Sequence, residues 1–175
     1  HYGQEWFYGA QENLELAYKK NPTDVNVLYY LAKSCARTSW KAEGIEYMKK
    51  ALAQTDEQTL LLDSVVVRLY EGLVDCYDRW HESDPYEAIE VMKHTYTLTK
   101  KYFLFYKIAE VYDRQEDYAN AVHYYEKYMA LVPKDKQVAL DAEGNVLTGY
   151  MTKYQIAKER ITKIKEESFF RDGVK

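Results

Sequence analysis

Four histidines and two cysteines are the residues in this 175-residue chain best suited to metal binding, acid–base work or nucleophilic attack. Their spacing defines none of these. His94 and His123 fall on helical patterns with no second histidine one turn away, and nothing matches the His-Glu-x-x-His spacing that puts two imidazoles on one helix face. His81-Glu82 shares a loop with Asp84, which without further converging ligands reads as a solvated turn. Asp141, Glu143 and Asn145 carry part of a calcium-loop pattern, but the downstream glutamate that supplies the bidentate contact is absent. Cys35 and Cys76 are too few and too far apart for a disulfide framework or a zinc knuckle. Each stands on an apolar helical pattern, where a thiol packs as a small hydrophobe. A glycine-rich phosphate loop and a Gly-x-Ser-x-Gly elbow are both missing. The sequence therefore predicts no catalytic residue, no metal site and no cofactor.

Nineteen tyrosines are the other conspicuous chemical feature. Stacking on nucleic-acid bases uses tyrosine together with a positive groove, whereas this chain has a net charge of −4. A broad nucleic-acid or anionic-membrane surface is thus not expected. Most tyrosines, including Tyr30, Tyr47, Tyr77, Tyr112, Tyr118 and Tyr125, fall at helical spacing suited to packing with the hydroxyl at a helix edge. With 47% apolar residues, seven Gly and three Pro, the chain has the composition of a packed domain. No apolar run approaches the ~20 residues of a membrane span. The start, His1-Tyr2-Gly3-Gln4-Glu5, has no basic stretch followed by an apolar core, so no signal peptide is read there. A leader further upstream, and with it the compartment, stays open.

The elements that position these residues repeat. Residues 102–133 contain two helical patterns, Phe105/Ile108/Ala109/Tyr112 and Ala121/Val122/Tyr125/Met129, separated by the polar turn Arg114-Gln115-Glu116-Asp117 and closed by Pro133. The same grammar recurs in Leu28/Leu31/Ala32/Cys35 with Gly44/Ile45/Met48/Ala51/Leu52, and in Tyr70/Leu73/Val74/Tyr77 with Ala88/Ile89/Met92/Tyr96. A half-copy, Trp6/Phe7/Ala10/Leu14/Ala17, opens the chain and ends at Asn21-Pro22. The small residues Ala10, Gly44, Ala88 and Ala121 follow one another at intervals of 34, 44 and 33. The long interval predicts an extended helix over 58–81, fed by Leu60-Leu61-Leu62 and Val65-Val66-Val67, plus a loop over 79–84. Thr23-Asp24, Thr55-Asp56 and Asp84-Pro85 offer helix caps.

A period near 34, with a large–small–aromatic first helix and a small-residue second helix, resembles the tetratricopeptide repeat family over about residues 5–133. Within 102–133 the pattern runs through Ile108, Ala109, Tyr112, Asp117, Tyr118, Ala121, Tyr125 and Pro133; it departs at Tyr128, where the family carries a small residue. The resemblance implies an all-α, right-handed superhelix of antiparallel helix pairs: a half repeat at 5–22 and full repeats at 24–55, 58–100 and 102–133. Residues 134–175 supply a turn around Asp141-Ala142-Glu143-Gly144-Asn145 and a long amphipathic helix from about Thr148 to Phe169. That helix reads as the polar-backed cap a stacked-repeat protein needs; a helix continuing into another domain or coiling with a partner is the alternative. At the other end, Trp6, Phe7 and Leu14 present a stacking face without its first-helix partner. Such an uncovered face predicts further repeats upstream or self-association, unless residues 1–20 fold back on themselves.

In the resembled family first helices line a concave groove that holds a partner peptide. The resemblance places Asn26, Tyr29, Lys33 and Arg37 on that face in the first full pair, Arg68, Glu71, Asp75, Asp78 and Arg79 in the second, and Phe103, Tyr106, Glu110, Asp113 and Arg114 in the third. Some family members grip a chaperone's C-terminal carboxylate with a Lys/Asn/Asn/Lys/Arg clamp. Tyr29 and Lys33 stand where the first Lys and first Asn of the clamp belong, so that partner is not expected. The inward charges are basic in the first pair and acidic further along. This predicts a partner peptide with an apolar or aromatic centre seated on Tyr29, Phe103 and Tyr106 and a basic segment over Glu71, Asp75 and Glu110. The same charges also fit intrahelical pairs, Asp75–Arg79, Glu110–Arg114 and Arg68–Glu71. The function implied is a non-catalytic protein–protein interaction scaffold; a regulatory or targeting repeat segment of a larger enzyme or assembly factor is the alternative.

Overall fold

The computed structural model describes residues 2–38, 40–55, 64–79, 84–147 and 149–172, and their side chains apart from 2–8, 41, 78–79 and 169–172. These residues form eight α-helices and one short 3-10 turn: α1 (Tyr2–Lys20), α2 (Val25–Ala36), α3 (Lys41–Ala53), α4 (Ser64–Arg79), α5 (Pro85–Thr99), α6 (Phe103–Arg114), α7 (Tyr118–Leu131), the 3-10 turn at Lys134–Lys136, and α8 (Lys153–Asp172). No strand is present among them; a single antiparallel bridge joins Leu140 to Val146. The chain divides into two compact units, His1–Thr99 and Lys100–Lys175, so the division falls between Thr99 and Lys100, inside the repeat block expected over 1–133.

Helix starts follow the aspartates. Asp24 Oδ1 accepts from the backbone N–H of Asn26 (2.9 Å) and Val27 (3.1 Å), Asp84 Oδ1 from Glu87 (2.9 Å), and Asp117 Oδ1 from Asn120 (3.2 Å). Each satisfies a donor that the first helical turn leaves without a partner. Thr55, expected to cap the next helix, instead closes α3, its Oγ1 donating to the Leu52 carbonyl at 2.7 Å. Asp56 and the run Leu60-Leu61-Leu62 lie outside the described residues, as do 80–83 in the expected long loop.

In the first unit α2 packs on α1, α3 and α4, α3 on α4, and α4 on α5. Leu28, Leu31, Ala32, Cys35, Ile45, Met48, Leu69, Leu73, Cys76, Ala88, Ile89 and Met92 are all buried. The small residues at the period positions do what close crossings demand. A Cβ on Gly44 would stand 3.0 Å from the Ala32 carbonyl oxygen and 3.3 Å from the Ala36 nitrogen, so α2 and α3 approach backbone to backbone. Ala88 and Ala121 are fully buried, whereas Ala10 is exposed. Tyr30, expected to pack, is 55% exposed.

The second unit is a tyrosine-rich three-helix cluster. Tyr106, Ala109, Ala121, Tyr125, Tyr128 and Val132 of the α6–α7 pair bury against Ala157, Ile161 and Ile164 of α8. Tyr128, the departure from the family pattern, is 6% exposed and packs on Tyr102 and Tyr106 at 6.0 and 5.2 Å between ring centroids. Here α8 begins at Lys153, not near Thr148 as the apolar spacing predicts, and runs past Phe169. Thr152 and Gln155 set its start: the Thr152 N–H donates to Gln155 Oε1 (2.9 Å) and the Gln155 N–H returns to Thr152 Oγ1 (3.3 Å), a reciprocal capping box. Tyr150 and Met151, expected as apolar helix members, precede the helix and are exposed, as is Ile156 within it. Before them, Asp141 Oδ1 accepts from the N–H groups of Glu143 and Asn145, and Gly144 takes φ +85° to close the expected turn.

Candidate partner-binding site

In the first unit one groove of about 670 Å3 gathers residues from three helices: Ala10 and Leu14 of α1, Tyr29, Tyr30, Lys33 and Ser34 of α2 with Arg37 just beyond it, and Arg68 of α4. Four residues expected on the inward face, Tyr29, Lys33, Arg37 and Arg68, therefore share one concavity. The turn spacing of α2 puts Tyr29, Lys33 and Arg37 in a row. Glycine at position 72 then lets α4 close on that row, since a Cβ there would stand 3.3 Å from the Tyr29 ring and 2.5 Å from the Met48 methyl. With its ring fixed at this crossing, Tyr29 meets Tyr30 edge-on at 5.2 Å, and the Lys33 ammonium lies 5.5 Å over the Tyr29 ring. Three cationic side chains and no carboxylate line the groove among the described residues. Leu14, from the stacking face expected to lack a partner, forms its wall together with Ala10; the side chains of Trp6 and Phe7 lie outside the described residues. This wall and Tyr30 were not legible as site residues, because their apolar spacing marks them for packing.

Glu71 and Asp75 lie one and two turns further along α4, half-buried and exposed respectively, and do not line the groove. The side chains of Asp78 and Arg79 are outside the described residues. In the second unit side chains of both α7 and α8 pack over part of the face expected to be open. Tyr106 is 5% exposed, packed edge-on against Tyr125 and Tyr128, with the Lys153 ammonium 4.4 Å over its ring. Asp113 is held by Arg160, whose Nε donates to Oδ2 and Nη2 to Oδ1, both at 2.7 Å. Tyr106 and Asp113 are thus structural contacts of α8 and not groove-facing side chains. Phe103 remains 41% exposed and Glu110 half-buried. Along the turn that the expected Glu110–Arg114 pair spans, the Arg114 Nε donates to the Glu110 backbone carbonyl at 3.1 Å.

Both cysteines are fully buried, and burial, then Glu43 and Glu15, pushes the Cys35 thiol up to about 11, which keeps it protonated. Among the described residues no group of three His, Cys, Asp or Glu side chains converges as a metal site would. No helix among them is long and apolar enough to cross a membrane.

The fold these helices define is all-α and of the helical-repeat, solenoid-forming class. Among solved structures it is similar to two crystal structures of MamA. One matches at TM-score 0.60 and 19% identity over 95% of this chain and 91% of that one; the other matches at TM-score 0.60 and 19% identity over 98% and 85%. At that identity the likeness is one of fold, and it supports a tetratricopeptide-type helical repeat. No protein-family model and no curated protein sequence matches the chain.

Proposed function

We propose that this chain is a tetratricopeptide-type, non-catalytic scaffold that binds a partner protein through the groove between α1, α2 and α4. One observation carries the reading: Tyr29, Lys33 and Arg37 of one helix row and Arg68 from α4 line a single concavity of aromatic and cationic character. The likeness to helical-repeat structures supports the same reading at the level of fold. Partly desolvated aromatics supply most of the energy of such a contact, and charges set orientation and on-rate. The partner segment accordingly carries an aromatic or branched apolar residue seated on Tyr29 and Tyr30, flanked by acidic residues over Lys33, Arg37 and Arg68. Charge complementarity with Lys33, Arg37 and Arg68 adds an acidic part to the expected peptide at this end. A basic stretch over Glu71 and Asp75 remains compatible with a segment that continues along α4.

A random-peptide display selection on the whole chain tests this. Counter-selection uses a variant with Lys33→Glu, Arg37→Glu and Arg68→Glu, all on partly or fully exposed positions. Enrichment of acidic–aromatic sequences that the reversed variant loses supports the reading. Enriched sequences that bind both proteins alike place the binding surface elsewhere.

A further inference from the structure

Between α7 and α8 the chain turns back on itself in a tight hairpin over residues 139–147. The Asp141 N–H donates to the Asn145 carbonyl and the Leu147 N–H to the Ala139 carbonyl, both at 2.9 Å, with Leu140 and Val146 paired between them. Bonds that flank a pair on both sides leave each residue's own N–H and C=O pointing outward. Leu140 and Val146 thus present a backbone donor and acceptor on the two outer edges, and among the described residues neither makes a backbone hydrogen bond. The hairpin is pinned at both ends all the same. Asp141 Oδ1 closes the turn on the N–H groups of Glu143 (3.0 Å) and Asn145 (2.7 Å), and the Thr152 hydroxyl donates to the Gln137 carbonyl at 2.7 Å.

Its side chains are equally uncovered. Leu140 and Val146 stand opposite each other, 53% and 58% exposed, and the exposed Leu147, Tyr150 and Met151 follow before α8. Apolar side chains concentrated in one short exposed stretch mark an interface. A two-stranded hairpin also gains most of its stability from further strands. The Leu140 edge is the usable one, because Gly149 at φ +81° turns the second arm out of an extended path. Natural edges are guarded by charge or proline. Here the one charge between Gln137 and Ala142 is Asp141, whose carboxylate is folded into its own turn.

We propose that this edge joins two copies of the chain, Leu140 against Leu140 about a two-fold axis, in a four-stranded antiparallel sheet that spans the dimer. In that register the outward N–H and C=O of each Leu140 exchange two hydrogen bonds with the other copy. Charge selects a second copy as the occupant. Lys134 and Lys136 precede the arm, Glu143 follows it, and all three are exposed. Antiparallel pairing sets the lysine end of one copy beside the glutamate end of the other, at both ends of the contact; parallel pairing would oppose like charges. A hairpin already pinned loses little freedom on pairing. The surface lies wholly within the second unit and is independent of the aromatic–cationic groove.

Sedimentation equilibrium of the whole chain over a wide concentration range tests the proposal, together with amide hydrogen exchange on dilute and concentrated samples. The expected result is a reversible monomer–dimer equilibrium. The Leu140 amide becomes protected at high concentration and the Val146 amide does not. Leu140→Lys, at an exposed position whose N–H and C=O make no bond within the hairpin, weakens the dimer about tenfold or more and leaves the melting of the dilute chain unchanged. Lys136→Glu and Glu143→Lys each weaken it about two- to fivefold. The two reversals together restore it, since the opposed ends are again complementary. A chain that stays monomeric at the highest concentration overturns the proposal. So does a dimer that tolerates Leu140→Lys, protection at Val146 in place of Leu140, or a double reversal no tighter than the single ones.

Discussion

Arg160 of α8 meets Asp113 of α6 through two parallel N–H···O contacts of 2.7 Å, across 47 residues of sequence. Both side chains are mostly withdrawn from water, at 29% and 14% exposure. A bidentate pair in that setting fixes the angle of α8 as well as adding energy. The Tyr125 hydroxyl, 3.4 Å from the same Asp113 carboxylate, ties α7 to this point. Removing either partner strands the other, so Asp113→Ala and Arg160→Ala are each expected to lower stability by about 1–3 kcal/mol. The double variant should cost less than the sum of the two. Urea denaturation in a double-mutant cycle measures this; strictly additive losses would mean the two side chains act independently.

Tyr106 and Phe103 separate core from surface on one helix. Truncating Tyr106, which is 5% exposed and packed among tyrosines, should cost about 3 kcal/mol of stability. Truncating Phe103, 41% exposed, should change stability by less than about 1 kcal/mol. Thermal melts of the two variants give the comparison, and a larger loss from Phe103→Ala would reverse the assignment.

Alkali should loosen the protein through its buried phenols. Burial, then Glu110, pushes the Tyr106 hydroxyl up to about 12, and burial with Asp113 raises that of Tyr125. In the unfolded chain these groups ionise near their ordinary value of about 10. The folded chain therefore holds protons that the unfolded chain has released. The stabilisation is complete below about pH 10 and declines as pH rises toward the folded values. Urea midpoints should fall in that window, with tyrosinate absorbance for these residues appearing only on unfolding. Tyr125→Phe should make the decline shallower, and an unchanged slope would assign it to other groups.

Gly44 and Gly9 provide a matched pair of helix glycines. A methyl on Gly44 meets the α2 backbone at 3.0 Å, whereas one on Gly9 meets nothing within 4 Å. Gly44→Ala is expected to destabilise by about 1–3 kcal/mol through forced separation of α2 and α3. Gly9→Ala should be neutral or stabilising by up to about 1 kcal/mol, from helix propensity alone. Parallel denaturation curves distinguish the two.

The repeat was legible because its marks are local. Gly44 sits where α2 and α3 meet backbone to backbone, Ala88 and Ala121 are fully buried at the same period, and Asp24, Asp84 and Asp117 precede the helices they cap. The start of α8 was misplaced because Tyr150 and Met151 extend its apolar spacing; the Thr152–Gln155 box that sets it outweighs that pattern. Of the candidate groove, Tyr29, Lys33 and Arg37 were legible together because one helix row carries them. The packing of Tyr106 and the Asp113–Arg160 pair were not, since spacing on α6 carries no information about the later helices that pack against it.

The affinity of one enriched acidic–aromatic peptide, measured by calorimetry against Tyr29→Ala, Arg68→Glu and the unaltered chain at low and high salt, tests the scaffold reading most directly. Tyr29→Ala is expected to weaken binding by about tenfold or more at both salt levels. Arg68→Glu is expected to weaken binding strongly at low salt and far less once the charges are screened. Affinity unchanged by both substitutions would contradict the assignment of this groove as the binding surface.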